Sequence, residues 1–308
     1  MGRYAVIYMK NPKVVVLMST YNGERYLKEQ LDSILTQSYP NLELLIRDDG
    51  SNDGTLAILE NYASIHKNMS FFKGNNLGPA YSFLKLISNA PEADYYALSD
   101  QDDVWLSEKI EIAIGMLIKE QADFYYSGTR PVDMNLKLID SPPIIPVKTF
   151  GASLVFASVT GCTVVFSKRL IEIYMLYSPA KLLMHDSWLF KIAMATGHKV
   201  AFDDNPHILY RQHGNNVVGS KQSILRKWSN RIRRFRSHSK VRYEEVEELY
   251  KGYGYTMQAD ALSVVKPLIG YKDKSILDRL TIAIKPCYRC GVLSKDILFV
   301  LSILTKSY

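Results

Sequence analysis

Two rhythms of apolar and polar positions alternate along the first two-thirds of the chain. Val14-Val15-Val16-Leu17-Met18 is an unbroken, largely β-branched run, as expected of a strand buried on both faces, and it stops at Ser19-Thr20-Tyr21-Asn22-Gly23. Leu27, Leu31, Ile34 and Leu35 then recur at helical spacing, with Asn22 as a candidate N-cap and Ser38-Tyr39-Pro40-Asn41 as the stop. Leu42 to Ile46 reads as a second buried strand, ended by Arg47-Asp48-Asp49-Gly50-Ser51, and Thr55 to Tyr62 as a second helix. The same alternation predicts strands at Ser70–Phe72 and Tyr95–Leu98 and helices at Pro79–Ser88 and Leu106–Lys119. Strand-helix repetition of this kind implies an α/β fold with a mostly parallel sheet and helices on both faces.

Beyond Asp123–Ser127 the pattern loosens into a connection containing Pro142, Pro143 and Pro146. It resumes with a strand at Thr163–Ser167, a helix at Ser187–Ala195 closed by Gly197, and strands at Lys199–Phe202 and Ile208–Tyr210. From about Ser223 the chain reads helical. The expected division is an α/β domain over 12–218 and a C-terminal helical region over 219–308, serving membrane association or oligomerisation.

In open α/β sheets ligands bind at the carboxyl ends of the strands. That rule singles out Ser19–Asn22, Asp48–Ser51 and Ser99–Asp103, where apolar strands give way to small or acidic residues.

Charge changes the picture only locally. The net charge of +7 concentrates between Asn216 and Tyr243, which hold nine Lys or Arg and no acid; the other 29 basic residues are slightly outnumbered by 31 acids. A general nucleic-acid binder is disfavoured, and no nucleic-acid partner is expected. Within the basic segment, Ile224, Trp228, Ile232 and Phe235 form a helical apolar stripe. Such a helix suits an anionic membrane surface or, equally, packing against the catalytic domain with its charges in water. Cys162, Cys287 and Cys290 make an odd set without zinc-ligand spacing. No signal peptide or membrane-spanning run is read from the sequence, and the expected location is cytoplasmic, with peripheral contact to the inner face of the membrane.

Ser99-Asp100-Gln101-Asp102-Asp103-Val104-Trp105 places three carboxylates within four residues at a strand end. So close together they repel unless solvent or a cation neutralises them, and a hard divalent ion takes such oxygen ligands; an acidic turn capping the next helix is the plainer alternative. Asp48-Asp49-Gly50-Ser51-Asn52-Asp53-Gly54 could accept hydrogen bonds from a ribose or a base, or be an ordinary turn with Asp53 as N-cap.

Taken in order, Ser19-Thr20-Tyr21-Asn22, Asp48-Asp49-Gly50-Ser51, Asn76-x-Gly78 and Asp100-x-Asp102-Asp103 closely resemble the inverting nucleotide-sugar glycosyltransferases of family 2, which have the GT-A fold. The resemblance runs over roughly residues 12 to 218. Leu98 to Trp105 looks most like the bacterial rhamnosyltransferase-type members that build capsule or O-antigen polysaccharide. It implies that Thr20 and Asp49 bind the nucleobase, with Asp48 beside them, Tyr21 lining the base and Asn22 in the same loop. It implies that Asp100 contacts the ribose or the metal, and that Asp102 ligates the Mn²⁺ or Mg²⁺ that bridges the diphosphate. Asp186, in Met184-His185-Asp186-Ser187-Trp188, falls where such members carry the base that deprotonates the acceptor; by itself it would read as a helix N-cap. Tyr210-Arg211-Gln212-His213 resembles a segment in which His213 completes the metal shell and Arg211 neutralises phosphate. Cys162 reads as a small buried residue, since inverting transfer needs no covalent intermediate. Trp105 reads as packing against the sheet.

The reaction implied is transfer of one sugar from a nucleoside-diphosphate donor to a glycan or lipid-linked hydroxyl. The donor suggested is dTDP-rhamnose, with UDP-galactose or another UDP-hexose as the alternative. A sugar nucleotidylyltransferase is disfavoured because Met18 to Arg25 lacks its glycine-rich loop, and a dinucleotide oxidoreductase because no G-x-G-x-x-G follows the first strand. A non-catalytic scaffold would need neither Asp102 nor Asp186.

Overall fold

The computed structural model describes residues 11–212 and 241–308. The expected domain boundary near 219, His213 and the apolar stripe from Ile224 to Phe235 lie outside the described residues.

The first half follows the predicted alternation. It runs β1 (Val14–Thr20), α1 (Leu27–Leu35), β2 (Leu42–Asp48), α2 (Thr55–Ile65), β3 (Met69–Lys73), α3 (Pro79–Ser88) and β4 (Tyr95–Ser99). These are followed by β5 (Val104–Trp105), α4 (Lys109–Glu120), β6 (Phe124–Val132), α5 (Phe150–Val155), β7 (Val165–Ser167), α6 (Lys168–Tyr174), α7 (His185–Ala195) and β8 (Val200–Arg211). One eight-stranded sheet results, in the order β3-β2-β1-β4-β7-β6-β8-β5. Its β3-β2-β1-β4 half is parallel, and β6 runs parallel to β8; β7 and the two-residue β5 pair antiparallel.

The continuous apolar runs of β1 and β4 have their cause in burial on both faces. Val15, Leu17 and Leu98 point into a cluster with α3, α5 and α7, whereas Val14, Val16, Met18 and Ala97 point into a second cluster with α1 and α4. The sequence pattern split β8 into two strands, and the structure joins them. Register shifts against β6 around Gly128 let one twelve-residue strand carry the polar Asp203-Asp204-Asn205 in its middle.

Residues 241–253 are helical (α8), followed by α9 (Ala259–Val265), α10 (Ile276–Ala283) and α11 (Leu293–Leu304). These helices do not form a core of their own. Val246, Leu249, Tyr253, Val265, Tyr271 and Phe299 belong to the same buried cluster as Trp188 and Phe190 of α7. A buried Lys191–Glu245 ion pair joins α7 to α8, and the other Glu245 carboxylate oxygen accepts from the Leu183 N–H at 3.1 Å. The C-terminal helices therefore brace the helix that carries Asp186. Among the described residues, no helix is long and apolar enough to cross a membrane.

Candidate active site

Three strand ends meet at one edge of the sheet, and short polar links lock them together. Thr20 closes β1, and its hydroxyl donates to Oε1 of Gln101 at 2.6 Å; the Tyr21 N–H reaches the same oxygen at 2.7 Å, and Gln101 Nε2 donates to the Tyr21 carbonyl at 3.1 Å. Asn22 adopts a left-handed backbone (φ 49°), its N–H donates to Ser51 Oγ at 2.9 Å, and its Oδ1 accepts from the Asn52 N–H at 2.8 Å. Asn22 is a bridge between loops rather than the N-cap of α1, whose cap position is Tyr26. The exposed Tyr21 ring is the one large aromatic that this loop offers to solvent.

Asp48 and Asp49 are both buried and both committed to protein donors. Asp48 Oδ1 accepts from the Gly50 and Ser51 N–H groups at 3.2 and 3.0 Å and fixes the turn, which passes through Gly50 at φ 86°. Asp49 is ion-paired to the buried Arg47 and accepts from the Leu77 and Gly78 N–H groups, both at 2.9 Å. These carboxylates thus shape the shelf leading into α3, whereas Thr20 and Tyr21 line the edge beside it.

The acid-rich loop lies between β4 and β5. Asp100 and Asp102 are half-buried and Asp103 is wholly buried. A carboxylate oxygen from each of Asp100 and Asp103 and the Cys162 thiol lie within 4.8 Å of one another. Burial pushes the Asp100 carboxyl well above its ordinary range, and the nearby charges of Asp103, Asp102 and Asp186 add to the effect. Burial followed by the charge of Asp102 raises Asp103 to about 7, against the Arg211 N–H, which donates to its Oδ1 at 3.0 Å. Asp103 Oδ2 has no hydrogen-bond partner. Cys162 is buried with its thiol pushed upward, so it remains protonated, in line with a non-nucleophilic role.

Asp186 opens α7 beside this loop. Its Oδ1 accepts from the Ser187 N–H at 2.6 Å, and the Gly161 N–H bonds to the same carboxylate. Burial is the dominant influence and raises its pKa to about 6. At neutral pH the group is ionised but holds a proton far more readily than a solvated aspartate, which suits a general base. A side chain on Gly161 would meet His185 Nε2 at 2.9 Å and Asp186 Oδ2 at 3.5 Å, so the missing Cβ lets this loop close on α7.

Arg211, for which the resemblance implies a phosphate contact, is held by several protein partners. Its buried guanidinium donates to the Asp102 and Met134 carbonyls, both at 2.8 Å, pairs with Glu29, and lies over the Tyr26 ring at 4.5 Å. Through these contacts Arg211 fastens the acid-rich loop to α1 and β8. Sequence reasoning also passed over Lys109, whose buried Nζ sits 3.5 Å over the Trp105 ring near Asp103 and Cys162; burial lowers its pKa to about 7. A lysine at a helical position with apolar neighbours was the available signal. Asp100, Asp102, Asp103, Cys162, Gly161 and Asp186 are therefore brought into one constellation, with Thr20 and Tyr21 joined to it through Gln101.

The sequence and the fold are similar to those of known proteins. The model of the family described as Glycosyl transferase family 2 matches residues 15–174. The dTDP-rhamnosyl transferase RfbG of Shigella flexneri is 33% identical over 224 residues, covering 68% of this chain and 76% of that protein. The UDP-Glc:alpha-D-GlcNAc-diphosphoundecaprenol beta-1,3-glucosyltransferase WfgD of Escherichia coli is 32% identical over 163 residues, covering 52% of this chain and 62% of that protein. Among solved structures, S. aureus TarS in complex with UDP-GlcNAc superposes with a TM-score of 0.59 at 16% identity, covering 96% of this chain and 91% of that one. The mannosyltransferase PcManGT from Pyrobaculum calidifontis, in complex with GDP-Man and Mn²⁺, does so with 0.55 at 18%, covering 97% and 89%.

Proposed function

Because the chain belongs to glycosyl transferase family 2 and is a glycosyltransferase of GT-A fold, we propose that it transfers a sugar with inversion from a nucleoside-diphosphate donor to a glycan or lipid-linked hydroxyl in bacterial surface polysaccharide synthesis. The observation that carries this reading is the convergence of Asp186 with the Asp100–Asp103 loop: Asp100 feels the charges of both Asp102 and Asp186.

Asp186 is the base. It receives the acceptor hydroxyl proton as the acceptor oxygen bonds to the anomeric carbon and the bond to the diphosphate oxygen breaks, the bonding pair leaving with the nucleoside diphosphate. Its link to the Gly161 N–H aims the carboxylate, and α8 holds α7 in place through Lys191 and Glu245. Thr20, Tyr21 and Asn22 form the edge for the base and ribose, with Asp48 and Asp49 holding the shelf beneath. Asp100 faces the ribose or the cation.

The donor set fits a hard divalent cation, since carboxylates dominate it and one buried oxygen, Asp103 Oδ2, has no hydrogen-bond partner. Asp102, with Asp100, would hold Mn²⁺ or Mg²⁺. Bound there, the ion would stabilise negative charge on the departing diphosphate. His213 as a further ligand remains part of the proposal from the sequence. Arg211 acts as a positioning residue for the loop.

The likeness to RfbG over two-thirds of the chain favours dTDP-rhamnose as donor. A UDP-hexose is the second reading, favoured by the likeness to WfgD, whose name specifies UDP-Glc and a diphosphoundecaprenol-linked acceptor. The test is a panel of nucleotide sugars with Mn²⁺ or Mg²⁺, read as nucleoside-diphosphate release. Release from dTDP-rhamnose alone supports the first reading, release from a UDP-hexose the second, and release from none opposes both.

A further inference from the structure

The last two helices present an aliphatic face with no covering partner among the described residues. On α10, Leu277, Leu280 and Ile284 recur at steps of three and four, and on α11, Leu293, Ile297 and Leu301 at steps of four; all six are between 39% and 74% exposed. The opposite sides of both helices, at Ile282, Ala283, Phe299 and Ile303, are buried in one core cluster. The two stripes therefore point outward from a common base.

The helices run antiparallel: just before α10 the Tyr271 hydroxyl donates to the Tyr308 carbonyl just after α11 at 3.1 Å, and the Arg279 guanidinium within α10 donates to the Ile303 and Leu304 carbonyls at the end of α11. That arrangement puts exposed Lys274 and Lys306 at one end of the strip and exposed Lys285 and Arg289 at the other. Asp296 is buried and accepts from the Cys290 N–H, so the exposed acids on α10, α11 and their flanks are Asp273 and Asp278, the latter hydrogen-bonded to Ser275. The result is an apolar strip ~18 Å long with cations at both ends.

We propose that this face of α10 and α11 docks the enzyme on an anionic lipid bilayer. Aliphatic side chains enter the boundary between headgroups and acyl chains, and the terminal Lys and Arg side chains reach the headgroup phosphates. A second copy of the chain is the poorer occupant. The exposed rim holds Lys274, Lys285, Arg289 and Lys306 against Asp273 and Asp278, a net positive charge that opposes pairing of two such strips and that an anionic surface attracts. The inference deepens the reading of a lipid-linked acceptor.

The test is flotation of the full chain with vesicles of phosphatidylcholine alone and of phosphatidylcholine containing about one-third phosphatidylglycerol. These vesicles carry no donor or acceptor, so docking and transfer fail separately. The chain binds the anionic vesicles only, and binding weakens as salt rises from about 0.1 M to about 0.5 M. The combined variant Leu277→Ser, Leu293→Ser, Ile297→Ser lowers partitioning by at least about tenfold while nucleoside-diphosphate release is unchanged. A second variant, Lys274→Glu with Lys285→Glu, touches only exposed charges and weakens binding in the same direction. Flotation of both variants like the parent overturns the proposal. So does a parent that ignores vesicles and instead sediments as a dimer which the serine variant dissociates.

Discussion

The backbone N–H of Arg211, the last residue of β8, donates to the buried carboxylate of Asp103, 108 positions earlier, at 3.0 Å. Its guanidinium meanwhile grips the Asp102 carbonyl and Glu29. One residue thus sets both the height and the tilt of the acid-rich loop. Arg211→Lys keeps the charge but loses the planar fork. It is expected to lower stability by about 2 kcal/mol, seen as a fall of several degrees in Tm, and to reduce donor turnover. An unchanged Tm would remove Arg211 from its structural role.

Asp186→Asn preserves shape and removes the proton acceptor. Turnover should fall by ~10²–10⁴-fold, with donor affinity in calorimetry close to that of the parent. A drop in affinity equal to the drop in turnover would assign Asp186 to donor binding instead.

Two opposite pH trends follow from the same carboxyl group. Turnover should rise as pH climbs through about 6, where Asp186 ionises. Stability should move the other way. The folded chain holds this proton up to about 6, whereas the unfolded chain releases it near 3.8, so the folded state binds more protons between those values and loses stability as pH rises. Asp186→Asn, which carries no such charge, should gain on the parent by on the order of 2 kcal/mol between pH 4 and pH 7. Denaturant midpoints at the two pH values measure it.

A side chain at position 161 would strike His185 and crowd Asp186. Gly161→Ala should therefore displace the base and cut turnover by about 10–100-fold, with donor binding nearly intact. Equal loss of binding and turnover would mean that the loop serves the donor rather than the base.

Chelation should abolish nucleoside-diphosphate release, and Mn²⁺ or Mg²⁺ should restore it. With Asp102→Asn, the Mn²⁺ concentration giving half-maximal rate should rise by at least about tenfold. Full activity in chelator would exclude the cation from the reaction.

The parallel half of the sheet was legible in the sequence because strands such as Val14–Thr20, buried on both faces, leave uninterrupted apolar runs. The three strand-end loops were legible for the same reason, as abrupt breaks in those runs. Asp186 was harder. A single acid before a helix looks like a cap, and only the resemblance to a family implies a base there. The sequence could not say which of three neighbouring acids turns inward, because that depends on the two-residue β5 pairing with β8 and rotating Asp103 under the loop. Nor could it show how Arg211 is held, since its partners Glu29 and Met134 lie far away in the chain. The packing of the C-terminal helices was not legible, because Val246, Leu249 and Tyr253 complete the core behind α7 from a distant stretch of the chain.

The side-chain amide of Gln101 clasps the backbone and hydroxyl of the β1 loop with three contacts. Insertions or deletions in either of these loops would have to be matched in the other. Natural variation in loop length among relatives should therefore collect in the stretch between β6 and α5, whose Leu138 and Ile145 stand open to solvent.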